Sequence, residues 1–212
     1  MITIYYHCFD MTPDDEIFVA GALKELAQHL KEYPKDDPIK LAISIKPLGD
    51  EQDLTKKVDA ILNDPSYTFS NCAGAIPYSF FKEGIFKEGV PPKLLVYCRP
   101  DSQVAKAAKS EAARMNKVPP CWGATNSHFA AAYPPKDQLK RKFTIWHETV
   151  HLLLLRDDNR DECYEPYYPC ECDTCIMQYE PPKKWVGEWS LCDKIIGFLR
   201  DLSKNCRENK KG

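Results

Sequence analysis

An α+β fold is predicted for this chain of 212 residues: a twisted, mixed β-sheet packed with helices, then an irregular cysteine-rich C-terminal part closed by a helix. Three observations predict it. Strand and helix signals alternate over the first two thirds of the chain, an apolar helix carrying two histidines four residues apart follows, and cysteines cluster beyond that helix.

Ile2 to Phe9 is β-like. Thr12 then supplies an N-cap and Pro13 a first-turn proline, while Asp14, Asp15 and Glu16 favour the positive end of a helix that runs to about Tyr33. Ile39 to Leu48 alternates as a strand, with Leu41, Ile43 and Ile45 set against Lys40, Ser44 and Lys46. Asp53 to Asn63 reads as a second helix, ended by Pro65. After a loop holding Pro77, Gly84, Gly89, Pro91 and Pro92, Leu94 to Cys98 is a short buried strand and Ser102 to Asn116 an Ala-rich helix. Two further strands are expected at Trp122 to Asn126 and Phe129 to Tyr133. The histidine-bearing helix starts after Pro134-Pro135-Lys136-Asp137, and the last helix runs from about Ser190 to Cys206. Between these two helices, Arg156 to Glu188 is a long irregular stretch rich in Cys, Asp, Pro and Tyr, and such a stretch inside a compact domain needs a function or a metal to hold it.

The length suits one catalytic domain over 1–212, with a sheet-and-helix part at 1–156 and a cysteine-rich part at 157–212. The formal net charge is −2 and the basic residues are scattered, so no nucleic-acid partner is expected. No apolar run approaches the ~20 residues of a membrane helix, so no membrane partner is expected either. Met1 to Tyr6 enters a strand without a targeting segment, which points to the cytoplasm. There, ten cysteines favour metal over disulfides. The oligomeric state is not encoded legibly.

Trp146-His147-Glu148-Thr149-Val150-His151 contains an H-E-x-x-H motif. On a helix, residues four apart share a face, so His147 and His151 can offer two imidazoles to one zinc ion. Glu148, about 100° further round the helix, is placed to take a proton from a metal-bound water as general base. The flanks Phe143, Ile145, Trp146, Val150, Leu152 and Leu153 suit a buried active-site helix. The motif therefore predicts a zinc-dependent peptidase with a peptide or protein substrate.

A catalytic zinc usually has a third protein ligand. The metzincin pattern H-E-x-x-H-x-x-G-x-x-H, followed by a Met-turn, places it six residues after the second histidine, where this chain has Asp157, with Asp158 as the nearest substitute. Two departures stand out. The glycine position is Leu154, whose left-handed conformation would cost about 1 kcal/mol or more, and the third ligand is Asp rather than His. Cys175-Ile176-Met177-Gln178-Tyr179 resembles a Met-turn, with Met177 beneath the metal and Tyr179 able to ligate the zinc or stabilise the oxyanion.

The chain most resembles the archaemetzincins, which combine the catalytic helix with a C-x4-C-x-M pattern; here that is Cys170, Cys175 and Met177, with Cys192 near the next cysteine of the pattern and Ile195 in place of its partner. The resemblance covers roughly residues 143 to 195. It implies a second, structural zinc on four cysteines, for which Cys170, Cys172, Cys175 and Cys192 form one set and Cys163 is the alternate. Metzincins present an antiparallel sheet edge to an extended peptide, and Gly123, Ala124 and Thr125 are placed to form that edge.

Two rivals remain open from the residues alone. A gluzincin-like hydrolase would take its third ligand from Glu165, Glu171 or Glu188. A non-catalytic zinc-binding module would explain Leu154 and Asp157 as lost activity, but has no need of Glu148. Cys8, Cys72, Cys98 and Cys121 read as isolated buried thiols, and His7, His29 and His128 as structural.

Overall fold

The computed structural model describes residues 2–66, 68, 75–76, 78–80, 82–84, 92–114, 123–126, 129–133, 138–154, 175–177 and 190–208. Five strands, β1 (Ile2–Phe9), β2 (Ile43–Pro47), β3 (Lys93–Cys98), β4 (Gly123–Asn126) and β5 (Phe129–Ala132), form one sheet in the order β2-β1-β3-β5-β4. The first four in that order are parallel and β4 runs antiparallel to β5, so the sheet is mixed, as expected, and β4 lies at its edge. The long helices are α1 (Pro13–Glu32), α2 (Gln52–Asn63), α3 (Gln103–Arg114), α4 (Gln138–Leu154) and α5 (Asp193–Glu208). Because helices alternate with parallel strands, the connectivity is that of an α/β layer, where the sequence suggests α+β.

The two-residue period of the strands sorts the core into two clusters. Ile2, Ile4 and Tyr6 of β1, with Leu95 and Tyr97 of β3, pack with α1, α4 and α5. Tyr5 and Phe9, with Leu94, Val96 and Cys98, pack with α2 and α3. The helix carrying the two histidines thus shares a layer with α1 and α5. Among the described residues no helix is long and apolar enough to cross a membrane.

Local signals account for most boundaries. Thr12 caps α1 through a capping box with Asp15: the Thr12 hydroxyl accepts from the Asp15 backbone N–H at 3.3 Å, and the Asp15 carboxylate accepts from the Thr12 N–H at 3.2 Å. The second strand is shorter than the expected Ile39 to Leu48. Lys40 sits at a φ of 56°, which takes the chain out of extended geometry, so Ile39 and Leu41 are buried without joining the sheet.

Several contacts fasten α4 to α1, the Lys142–Glu25 ion pair among them. The Trp146 indole N–H donates to the carbonyl of Ala22 at 2.8 Å, and Arg141 pairs with Asp15 while its Nε donates to the Tyr97 hydroxyl at 3.0 Å. Asp15 feels burial, which pushes its pKa up, but the Thr12 hydrogen bonds and the Arg141 guanidinium outweigh this and hold it below the ordinary carboxylate range.

Candidate metal centre

The motif residues lie in the last two turns of α4, which runs unbroken through Leu154. His147 and His151 converge: their Nε2 atoms are 2.9 Å apart, with ring centroids at 4.5 Å and ring planes at 81°. Two imidazoles on one tetrahedral zinc, each at about 2.0–2.1 Å, hold their nitrogens about 3.3 Å apart. An opening of about 0.4 Å would therefore reach ligating geometry, within the freedom of two side chains on one helix face.

The other nitrogen of His147 is committed. Nδ1 lies 2.8 Å from the carbonyl oxygen of Ile176, and since a carbonyl can only accept, Nδ1 carries the proton and Nε2 presents its lone pair. The donor set thus suits zinc: an imidazole oriented from behind by a backbone carbonyl, with its Nε2 at the point a second imidazole also faces.

That carbonyl is itself held in place. Cys175 makes a parallel bridge with Ser190, and the Ile176 N–H donates to the Ser190 carbonyl at 3.0 Å. Ile176 and Met177 form a turn in which the Met177 N–H meets the Cys175 sulfur at 3.5 Å. Met177 is buried in the same apolar cluster as Phe143, Trp146 and Val150 of the motif helix. Glu148 is 6 % exposed, so its carboxylate sits largely out of bulk water.

Leu154 is the last residue of α4, helical and buried; Asp10 and Lys40 are the non-glycine residues at positive φ among those described. The left-handed turn that a glycine provides in the metzincin pattern therefore does not occur at Leu154, as its Cβ would predict. Any reversal of the chain falls further on.

Asp157, Asp158, Cys163, Glu165, Cys170, Glu171, Cys172, Tyr179 and Glu188 lie outside the described residues, as do Cys72, Cys121 and His128. Among the described residues no group of three or more His, Cys, Asp or Glu side chains could hold a metal. Two of the expected structural-zinc cysteines are described: Cys175, fully buried, and Cys192, partly buried, lie on the two segments joined by the Cys175–Ser190 bridge. Gly123, Ala124 and Thr125 form most of the antiparallel edge strand β4.

His7 hydrogen-bonds Asp59 at 2.6 Å, and His29 stacks on Tyr33 with ring centroids at 4.6 Å, so each has a structural partner. Burial pushes the Cys98 thiol up to about 11 and, with help from Glu16 and Asp15, the Cys8 thiol up to about 12.

Two contacts of His147 are not among the expectations drawn from the sequence. The Ile176 carbonyl carries no side-chain signature and was illegible. Phe143, whose ring lies 5.6 Å from that of His147 at an interplanar angle of 30°, was legible in principle, because a spacing of four residues on a helix brings side chains together.

No protein-family model matches the chain, and no curated protein matches it. Among solved structures it is similar to the crystal structure of an archaemetzincin from Methanopyrus kandleri, with 12 % identity, 96 % of each chain covered and a TM-score of 0.42. A likeness of that degree identifies neither a family nor an activity.

Proposed function

We propose that this protein is a zinc-dependent metallopeptidase of the metzincin type, its motifs most similar to those of the archaemetzincins. The observation that carries the reading is the convergence of the His147 and His151 Nε2 atoms at 2.9 Å, with His147 Nδ1 tied to the Ile176 carbonyl. A purely packing pair of histidines has no need of this arrangement.

His147 and His151 would hold the ion, and Asp157 (or Asp158) would complete the set from the chain beyond α4. Bound zinc supplies a Lewis acid that polarises a carbonyl and makes water acidic near neutral pH. Glu148, buried and next to the first ligand, takes the proton of the attacking water and delivers it to the leaving amine. The edge strand β4 would receive an extended peptide through its unshared main-chain groups, and the Tyr179 hydroxyl would stabilise the developing oxyanion. A structural zinc on Cys170, Cys172, Cys175 and Cys192, with Cys163 as alternate, would tie the chain beyond α4 to α5.

Metal analysis of the dialysed protein and turnover of a peptide library test the reading together. Two zinc ions per chain are expected, one of them lost in a His147→Ala, His151→Ala variant. Glu148→Gln should keep both ions and lose about 10²- to 10⁴-fold in rate, the usual effect of removing a general base. Zinc retained in full without the histidines would refute the catalytic centre, and no cleavage by the parent would favour a non-catalytic zinc module.

A further inference from the structure

We infer that Phe143 is a positioning residue for the metal site, its ring fixing the plane of the His147 imidazole so that Nε2 stays aimed at the point it shares with His151. The inference rests on the zinc reading above. Phe143 stands four residues before His147 in α4, and the two rings are 5.6 Å apart at 30°, an offset stack.

The hydrogen bond from Nδ1 to the Ile176 carbonyl restrains one end of the imidazole only. The Cβ–Cγ bond holds the ring as well, but rocking about it, within the tolerance of the hydrogen bond, still carries Nε2 sideways, off the shared point. A flat contact over one face blocks this motion. Phe143 can provide it because its own ring is 2 % exposed and packed in the cluster that holds Trp146, Cys175, Ile176 and Met177. His151 meets His147 edge-on at 81°. The His147 ring is thus restrained at Nδ1 by a carbonyl, on a face by Phe143 and at Nε2 by the second ligand. Phe143 acts on the site through His147, and what it contributes is flatness; a branched aliphatic side chain fills the space without fixing a plane.

The test compares full-length Phe143→Leu, Phe143→Tyr, Ile145→Val and His147→Ala for zinc affinity by chelator competition and for the visible spectrum of the cobalt-loaded protein. Ile145 is fully buried in the same helix and reports what general loosening of the core does. Phe143→Leu should bind zinc about 3- to 10-fold more weakly, with an altered cobalt band. Phe143→Tyr and Ile145→Val should stay close to the parent in both readouts even where thermal stability falls. Phe143→Met carries the same expectation as Phe143→Leu and replaces it if the leucine variant does not fold. Parent-like affinity and cobalt band in Phe143→Leu, with zinc lost in His147→Ala, overturns the role of Phe143 alone. Equal losses in Phe143→Leu, Phe143→Tyr and Ile145→Val also overturn it. Undiminished zinc binding in His147→Ala overturns the zinc reading and this inference with it.

Discussion

Replacing Arg141 with methionine removes the tie that holds the start of the motif helix to α1 and to the sheet. Arg141 donates through Nε to the Tyr97 hydroxyl at 3.0 Å, pairs with Asp15, and lies 4.7 Å from the centroid of the Phe18 ring. Tyr97 is fully buried, so its hydroxyl loses its guanidinium donor where water does not readily replace it, a loss of about 1–2 kcal/mol. The ion pair is about a fifth exposed at each end and contributes about 1 kcal/mol after screening. The cation over Phe18 adds about 0.5–1 kcal/mol, partly recovered by contact with the methionine. The expected destabilisation at pH 7 is about 2–3 kcal/mol, read by urea unfolding. Because Asp15 is held below its ordinary pKa, its contribution is fully present above the unfolded value of about 3.9 and disappears as pH falls through the folded value. The deficit of Arg141→Met should therefore hold from pH 7 down to pH ~4 and shrink only below that, as pH falls through the lowered Asp15 value. A double-mutant cycle with Asp15→Asn isolates the pair. A loss under about 0.5 kcal/mol at neutral pH, or a deficit indifferent to acid, would refute this account of how α4 is anchored.

Thiol chemistry offers an independent check: with pKa values pushed up to about 12 and about 11, Cys8 and Cys98 should react with iodoacetamide at pH 7.5 at least two orders of magnitude more slowly than a free thiol, as mapped by mass spectrometry of the folded protein. Rapid labelling of either would mean that the strands carrying them open readily. If Asp157 is the third catalytic ligand, Asp157→Ala should weaken zinc binding strongly while Asp157→His preserves it. Unchanged affinity in the alanine variant, with loss on replacing Asp158, Glu165, Glu171 or Glu188, would move the ligand. Joint replacement of Cys175 and Cys192 by serine should release one zinc without touching the ion on the histidines, and retention of two ions per chain would exclude the structural site.

Element order and the placement of the motif on one helix face were legible in the sequence because they rest on short-range rules. A capping threonine with Asp15 three residues later, a proline at the first helical position and apolar residues at helical spacing place α1 and α4 within a few residues of where they fall. The spacing of His147 and His151 puts two imidazoles on one helix face whatever surrounds them. Local rules failed at Lys40, where one positive φ shortens a strand that alternation alone would extend.

Tertiary structure decided what lies between distant segments. The sheet order, which places β4 at an antiparallel edge, follows from which strand faces can bury their apolar sets together, and no single strand encodes that choice. The orientation of His147 depends on a carbonyl 29 residues away, held by a bridge to Ser190. A backbone oxygen is the same in every residue, so the sequence by itself picked out the paired imidazoles as candidate ligands, while only the folded chain shows which nitrogen of His147 is tied to the backbone.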